Sequence, residues 1–142
     1  MHHIAIMKKS WNLIPKILSG EKTIESRWYK ARYAPWNKIK SGDKVFFKNS
    51  GEPIIAKAMV SNVLQFEDID KVKAQGIINN YSDRLGLENT DLLKWADGKK
   101  YCILIFLKKP ERLVNLIEVD KTGFGNSCAW MCVEDVNSII KL

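Results

Sequence analysis

Lys22, Glu25 and Arg27 stand close together in Gly20-Glu21-Lys22-Thr23-Ile24-Glu25-Ser26-Arg27, and between them they hold the makings of a polar site. Two cations can hold an anion or polarise a carbonyl, while a carboxylate beside them accepts hydrogen bonds from a base amine or positions a water. The stretch follows a turn glycine and reads as a strand. Strands favour β-branched and aromatic residues, so charges crowded here weaken a sheet and call for another explanation. Residues two apart on a strand share a face, which puts Thr23, Glu25 and Arg27 on one side and Ile24, Ser26 and Trp28 on the other. One face is then polar and the other is available to the core. A plainer alternative stays open: Glu25 and Arg27 pair only with each other, a mostly exposed interaction worth about 0–1 kcal/mol.

The run Arg27-Trp28-Tyr29-Lys30-Ala31-Arg32-Tyr33-Ala34-Pro35-Trp36-Asn37-Lys38 extends the motif and interleaves cations with aromatic rings. Cations meet phosphates and rings stack on unpaired bases, so this mixture suits single-stranded nucleic acid or a nucleoside. The alternative is a solvated basic loop whose rings pack onto the core. The charge of the whole chain points the same way, because residues 1–60 carry 12 Lys and Arg against 4 Asp and Glu (+8), whereas residues 61–142 carry 11 against 12 (−1). The positive field therefore belongs to the N-terminal part.

Other candidates carry less. Trp130 could wall a nucleobase pocket, or be core, the commoner fate of a tryptophan between apolar neighbours. His2 and His3 read as strand-start residues rather than catalytic bases. Cys128-x3-Cys132 is half a metal site at best, since structural zinc needs four ligands and both histidines lie at the far end of the chain. No metal and no cofactor are expected. Glu67-Asp68-x-Asp70 reads most simply as a helix cap, although carboxylates also hold divalent ions.

The elements that must position these residues follow from periodicity and turn chemistry. His3 to Met7 is an apolar run fit for a first strand. Asn12 is placed to cap a short helix in which Leu13, Ile14, Ile17 and Leu18 repeat at helical spacing, Pro15 falls in the first turn, and Gly20 closes the end. The charged strand thus starts straight after a helix C-cap. Lys44 to Lys48 and Pro53 to Phe66, joined by Asn49-Ser50-Gly51-Glu52, read as a hairpin. Residues 67–97 turn acidic and helical, with helices expected through Ile69 to Tyr81 and Thr90 to Trp95, the first weakened by Gly76. Lys100 to Leu107 is the strongest strand pattern, nearly continuous and hence central, with Pro110 ending it. Leu113 to Val119 reads as a further strand, Thr122-Gly123-Phe124-Gly125-Asn126 as a mobile glycine loop, and Trp130 to Cys132 leads into a short terminal helix from Glu134. Five to seven strands with inserted helices make an α+β protein built on a small barrel or curled sheet.

Composition agrees with one compact unit over residues 1–142. The apolar fraction of 46% and charged fraction of 27% exclude a disordered chain, and the length suffices for a core without disulfides. The odd cysteine count argues against a disulfide framework. No apolar run approaches the roughly 20 residues of a membrane span, and Met1 to Met7 lacks the apolar core of a secretion signal, so a cytoplasmic protein without membrane partners is expected.

The pattern Gly20-x-Lys22-x-x-Glu25-x-Arg27, set after a short helix and before a basic loop and the Ser41-Gly42-Asp43-Lys44-Val45 turn-to-strand, resembles the signature of the ASCH domain, a branch of the PUA-like fold. The Gly, Lys, Glu and Arg positions all match, and the element order matches over nearly the whole chain. The resemblance implies a PUA-like mixed β-barrel of about five to seven strands with peripheral helices, a cleft beside the motif, and binding of RNA or a modified nucleoside by Lys22, Glu25, Arg27 and an aromatic from Trp28, Trp36 or Trp130. Some proteins of similar fold are enzymes, either amidohydrolases that remove the acetyl group of acetylcytidine or ribonucleases. In the amidohydrolases the motif lysine is followed three residues later by a threonine nucleophile, and a glutamate near the start of a later helix is the acid or base. Lys22 matches that lysine and Glu88 resembles that glutamate, but Glu25 occupies the threonine position and Thr23 does not. If this chain is an enzyme, Lys22, Glu25 and Glu88 are the residues expected to act. A protein-interaction coregulator module is a third possibility.

Overall fold

The computed structural model of this chain describes residues 1–124 and 128–141. Gly125 and Asn126 of the expected glycine loop lie outside the described residues. Six strands form one sheet: β1 (His2–Met7), β2 (Ile24–Tyr29), β3 (Lys44–Asn49), β4 (Ile54–Phe66), β5 (Tyr101–Ile117) and β6 (Trp130–Val133), in spatial order β2-β5-β4-β3-β1-β6. β1 and β3 run parallel, and the other neighbours are antiparallel, so the sheet is mixed. It curls into a half-barrel. Its two outermost strands come within reach of each other, because Arg27 on β2 donates to carbonyls on β1 and just before β6. Three helices complete the α+β fold: α1 (Leu13–Ser19), α2 (Lys71–Leu85) and α3 (Asn89–Ala96).

The strand expected to be central, β5, is instead interior and next to the β2 edge, with β4 and β3 at the centre, and it explains the layering. On β5, Ile103 and Ile105 face the barrel interior with Ala5, Ile17, Phe47, Val60 and Trp130, while Cys102 and Leu104 face α2 and α3 with Ile24, Trp28, Ile78, Leu85 and Leu92. Over Cys102–Ile105 both faces of β5 are buried, hence the continuous apolar run there, while the strand beyond Leu107 is largely exposed. Each fully buried Ile or Leu contributes about 1.5–3 kcal/mol relative to exposure, so these two clusters hold the sheet and helices together. A third cluster, Ile4, Phe46, Ile54, Met131 and Val136, closes the opposite side.

Four local expectations are corrected. Pro110 does not end β5, and the separate strand expected from Leu113 is part of it. The pairing jumps from Met59↔Lys108 to Lys57↔Glu111, leaving Lys109 and Pro110 opposite one residue of β4 in a bulge. A proline is tolerated there because the bulge needs no ladder N–H from it, and Lys109 supplies the positive φ of 52°. Asn12 makes no side-chain cap bond with α1 and is itself left-handed, φ 54°. α2 runs past Gly76 and Tyr81 to Leu85, carried by burial of Ala74, Ile77, Ile78 and Leu85. The expected terminal helix is a short 3-10 turn, Val136–Ile139. Other expectations match: Gly20 closes α1 with φ 84°, and Asp70 caps α2 by accepting from the Lys73 N–H at 2.8 Å.

Candidate functional site

The seam where the sheet edges approach holds the charged motif. β2 is an edge strand, pairing only with β5, which leaves its outer flank open. Around that flank a cavity of about 200 Å³ is lined by the 3-10 turn Lys9–Trp11, the first residue of α1, the end of α2 and the middle and end of α3. Lys22, Glu25, Arg27 and Trp28 all line it, together with Lys8, Trp11, Ser26, Tyr29 and Trp95.

Burial decides what the three charges do. Lys22 precedes β2 and its side chain folds back, with only 2% of the residue exposed. Its ammonium has three protons. They go to the Ile24 carbonyl at 2.6 Å, the Leu85 carbonyl at 2.6 Å and Glu25 Oε1 at 3.1 Å. Lys16 of α1 donates to the Gly86 carbonyl at 2.8 Å, so two cations cap the C-terminus of α2, where the helix dipole favours positive charge. Gly86 must be glycine twice over: its φ is +82°, and a Cβ would stand 2.8 Å from Lys22 Cδ.

Glu25 is 4% exposed and lies between the cations. Its Oε2 accepts from Arg27 Nε at 3.1 Å and Nη2 at 2.8 Å. Burial alone would raise the Glu25 carboxyl, but the Lys22 and Arg27 charges outweigh it and hold the group below the usual carboxylate range, ionised at neutral pH. Burial pushes the Lys22 ammonium down, with the Glu25 charge opposing. The alternative of an exposed Glu25–Arg27 pair does not hold: the two belong to a buried chain of three charges with Lys22. Removing one partner of such a chain costs about 3–5 kcal/mol, against about 0–1 kcal/mol for a surface pair.

Arg27 does more than pair. Nη1 donates to the Ala129 carbonyl at 3.2 Å, and Nη2 points at the Ile6 carbonyl at 3.4 Å and Met7 Sδ at 3.3 Å. Its guanidinium carbon lies 4.9 Å above the Trp130 ring. Trp130 Nε1 donates to His3 Nδ1 at 3.0 Å, and His3 Nε2 meets Asp43 Oδ2 at 2.8 Å. Since Nδ1 accepts from the indole, the imidazole proton sits on Nε2 and goes to Asp43. Arg27 is thus clamped from behind by a buried Trp130-His3-Asp43 relay.

Three groups at the cavity retain unused capacity. A carboxylate oxygen accepts two hydrogen bonds, so Glu25 Oε1, holding only Lys22, has one acceptor site left. Arg27 Nη1 carries two N–H groups and gives one to the Ala129 carbonyl, with the Tyr29 hydroxyl beside the guanidinium in the same lining. Trp28 lines the cavity, is 2% exposed, and its indole N–H has no partner.

The remaining expected residues lie elsewhere. Trp130 stands behind Arg27 rather than in the cavity lining. Trp36 packs against Tyr101, ring centroids 5.1 Å apart, with Arg32 over both rings on a different part of the surface. Glu88 is exposed at the start of α3, in a separate depression with Ser82 and Asp83, and does not join Lys22 and Glu25. Thr23 accepts from Arg84 Nε at 2.9 Å outside the cavity. Sequence reasoning does not single out Trp11, Trp95 or Lys8; their only local signal is a lysine three or four residues from each tryptophan, in Lys8-x-x-Trp11 and Trp95-x-x-x-Lys99. Among the described residues no group of three His, Cys, Asp or Glu is placed to hold a metal, and no helix is long and apolar enough to cross a membrane.

No family model matches the chain, and no curated protein does. Solved structures do. ASCH from Zymomonas mobilis superposes with a TM-score of 0.71 at 13% identity, covering 99% of this chain and 96% of that one. A Ser-to-Ala mutant of that protein gives 0.72 at 12% identity over 96% and 91% of the two chains, and a Tyr-to-Phe mutant gives 0.70 at 12% over 96% and 93%. At such identity the likeness is one of fold, and the chain has the ASCH fold over nearly its whole length.

Proposed function

We propose that this chain, folded as the ASCH structures are, is a binding module that holds one nucleobase of RNA or of a modified nucleoside in the cavity along β2. The observation that carries this is the unused pair of groups, one acceptor on Glu25 Oε1 and one donor on Arg27 Nη1, at a cavity with the aromatic walls Trp11, Trp28, Tyr29 and Trp95. A base edge that offers an amine beside a carbonyl or ring nitrogen, as cytosine does, complements a neighbouring acceptor and donor. At about 200 Å³ the cavity lies below the 300–1,000 Å³ of drug-sized sites, which suits a single ring system. Lys22 serves as the support: its three protons are spent, and it fixes Glu25 in place.

The test is calorimetric titration of the four common nucleosides and N4-acetylcytidine into the wild-type protein and an Arg27→Lys variant. Cytidine is expected to bind at least about tenfold tighter than uridine, whose oxygen in place of the amine faces the Glu25 carboxylate. Arg27→Lys keeps the charge but loses the fork, and should weaken binding about tenfold or more. Equal affinity for cytidine and uridine, or an Arg27→Lys protein that binds unchanged, refutes the assignment.

One observation favours a hydrolase instead, namely the lowered ammonium of Lys22 beside a buried carboxylate, a pairing that active sites use. Deacetylation of N4-acetylcytidine or cleavage of single-stranded RNA, abolished by Glu25→Gln, would establish that reading; full recovery of both after prolonged incubation would end it.

A further inference from the structure

Outside the triad, the mouth of the cavity carries a second arrangement. Trp11 and Trp95 approach from opposite walls, centroids 5.3 Å apart and nearly perpendicular. Lys8 holds its ammonium 5.0 Å from the Trp11 ring centroid, and Lys99 holds its own 5.0 Å from that of Trp95. Trp95 is 44% exposed, an unusual exposure for the largest apolar side chain unless something covers it. Lys99 also lines a groove of about 710 Å³ on the other side of α3, where Lys71, Lys94 and Lys100 join it. Among the described residues none of these four lysines is ion-paired. Of the two aspartates on the groove, Asp70 is engaged in capping α2.

From this geometry we infer that the Lys8-Trp11-Trp95-Lys99 ledge seats the nucleotide adjoining the one in the cavity, and that the ligand is a single-stranded polynucleotide rather than a free nucleoside. The inference rests on the cavity taking a base, as proposed above. Rings flanked by lysines are what a strand of unpaired nucleotides requires, since a base stacks on the ring while the cation meets the phosphate beside it. In the free protein each ammonium rests against its ring. A base sliding onto Trp95 displaces Lys99, which turns to the neighbouring phosphate, and the strand continues toward the lysines of the groove. Charge complementarity selects a polyanion over a neutral partner, and the aromatic pair selects one with exposed bases.

Fluorescence anisotropy with a labelled mixed-sequence hexaribonucleotide, set against cytidine titration, tests this. The hexamer should bind wild-type protein at least about tenfold tighter than cytidine. Trp95→Ala should lower hexamer affinity about 5- to 150-fold. Lys99→Glu should lower it at least about tenfold and flatten the salt dependence by about 0.7 in log–log slope for each phosphate that the protein no longer neutralises, while cytidine affinity stays within about twofold. A hexamer no tighter than cytidine, or one indifferent to Lys99→Glu, overturns the ledge and leaves the cavity assignment standing. If neither probe binds, both assignments fall. Hexamer binding that depends on Trp95 and Lys99 but not on Arg27 supports the ledge and refutes the cavity.

Discussion

Gly86→Ala tests whether Lys22 is as rigidly held as its contacts imply. The new Cβ would stand 2.8 Å from Lys22 Cδ and 3.1 Å from its Cβ and Cγ, and an approach under 3 Å forces something to move. A flexible lysine would swing aside at little expense. Lys22 cannot, because its far end is fixed by the Ile24 and Leu85 carbonyls and Glu25, and it is 2% exposed. Two effects add: an alanine at φ +82° carries left-handed strain of about 1–2 kcal/mol, and overpacking a tight site adds about 1–3 kcal/mol. The total is about 2–5 kcal/mol. Gly20 supplies the control, with φ +84° and nothing within 4 Å of the place a Cβ would take, so Gly20→Ala should lose only the strain, about 1–2 kcal/mol. Urea unfolding of both variants at neutral pH, followed by tryptophan fluorescence and extrapolated linearly, gives the difference directly. It should be about 1–3 kcal/mol, the overpacking alone. Because the shifted ammonium carries Glu25 with it, Gly86→Ala should also weaken cytidine binding while Gly20→Ala does not. Two variants that agree within about 0.5 kcal/mol would mean that Lys22 yields freely and that the triad is not a rigid support.

Two further outcomes follow from buried polar contacts and backbone geometry. Burial lowers the pKa of His3 against the opposing pull of Asp43, so the native state takes up the proton less readily than the unfolded chain; the neutral ring's contribution is complete above about pH 6.5 and declines as pH falls below it. Urea midpoints at pH 7.5 and 5 should therefore drop less in His3→Gln, whose amide can serve both Trp130 and Asp43, than in wild type; an equal drop would assign the acid sensitivity elsewhere. Lys109, held at φ 52° in the β5 bulge, should gain up to about 1 kcal/mol as glycine, checked by the same unfolding assay, and a loss would show that the lysine side chain contributes there.

Much of the fold was legible because its signals are local. The apolar run at β1, the helical spacing of Leu13, Ile14, Ile17 and Leu18, the glycine at the end of α1, the β3–β4 hairpin and the unbroken apolar start of β5 each depend on neighbours a few residues away. The errors have physical reasons. Pro110 removes an N–H, which ends a strand unless a bulge makes that N–H unnecessary, and the bulge depends on pairing with β4. Gly76 lowers helix propensity by about 1 kcal/mol, and burial of Ile77, Ile78 and Leu85 exceeds that several times over. Glu88 and Trp36 resembled site residues by type and order, but α3 carries Glu88 to the surface and Tyr101 takes up Trp36.

By itself the sequence determined that Lys22, Glu25 and Arg27 follow the C-cap of a short helix on a strand of a curled sheet, since propensity, turn chemistry and side-chain alternation act over short spans. Their use was decided only in three dimensions. Leu85, which accepts from Lys22, is 63 residues away; Ala129, which accepts from Arg27, is 102 away; and the Trp130-His3 bond behind Arg27 spans 127. Whether a charge is a solvated surface group or a buried support depends on which groups remove it from water. Those groups are brought together when the sheet curls and α2 packs against it, a result of core burial on distant segments that no local pattern around the motif records.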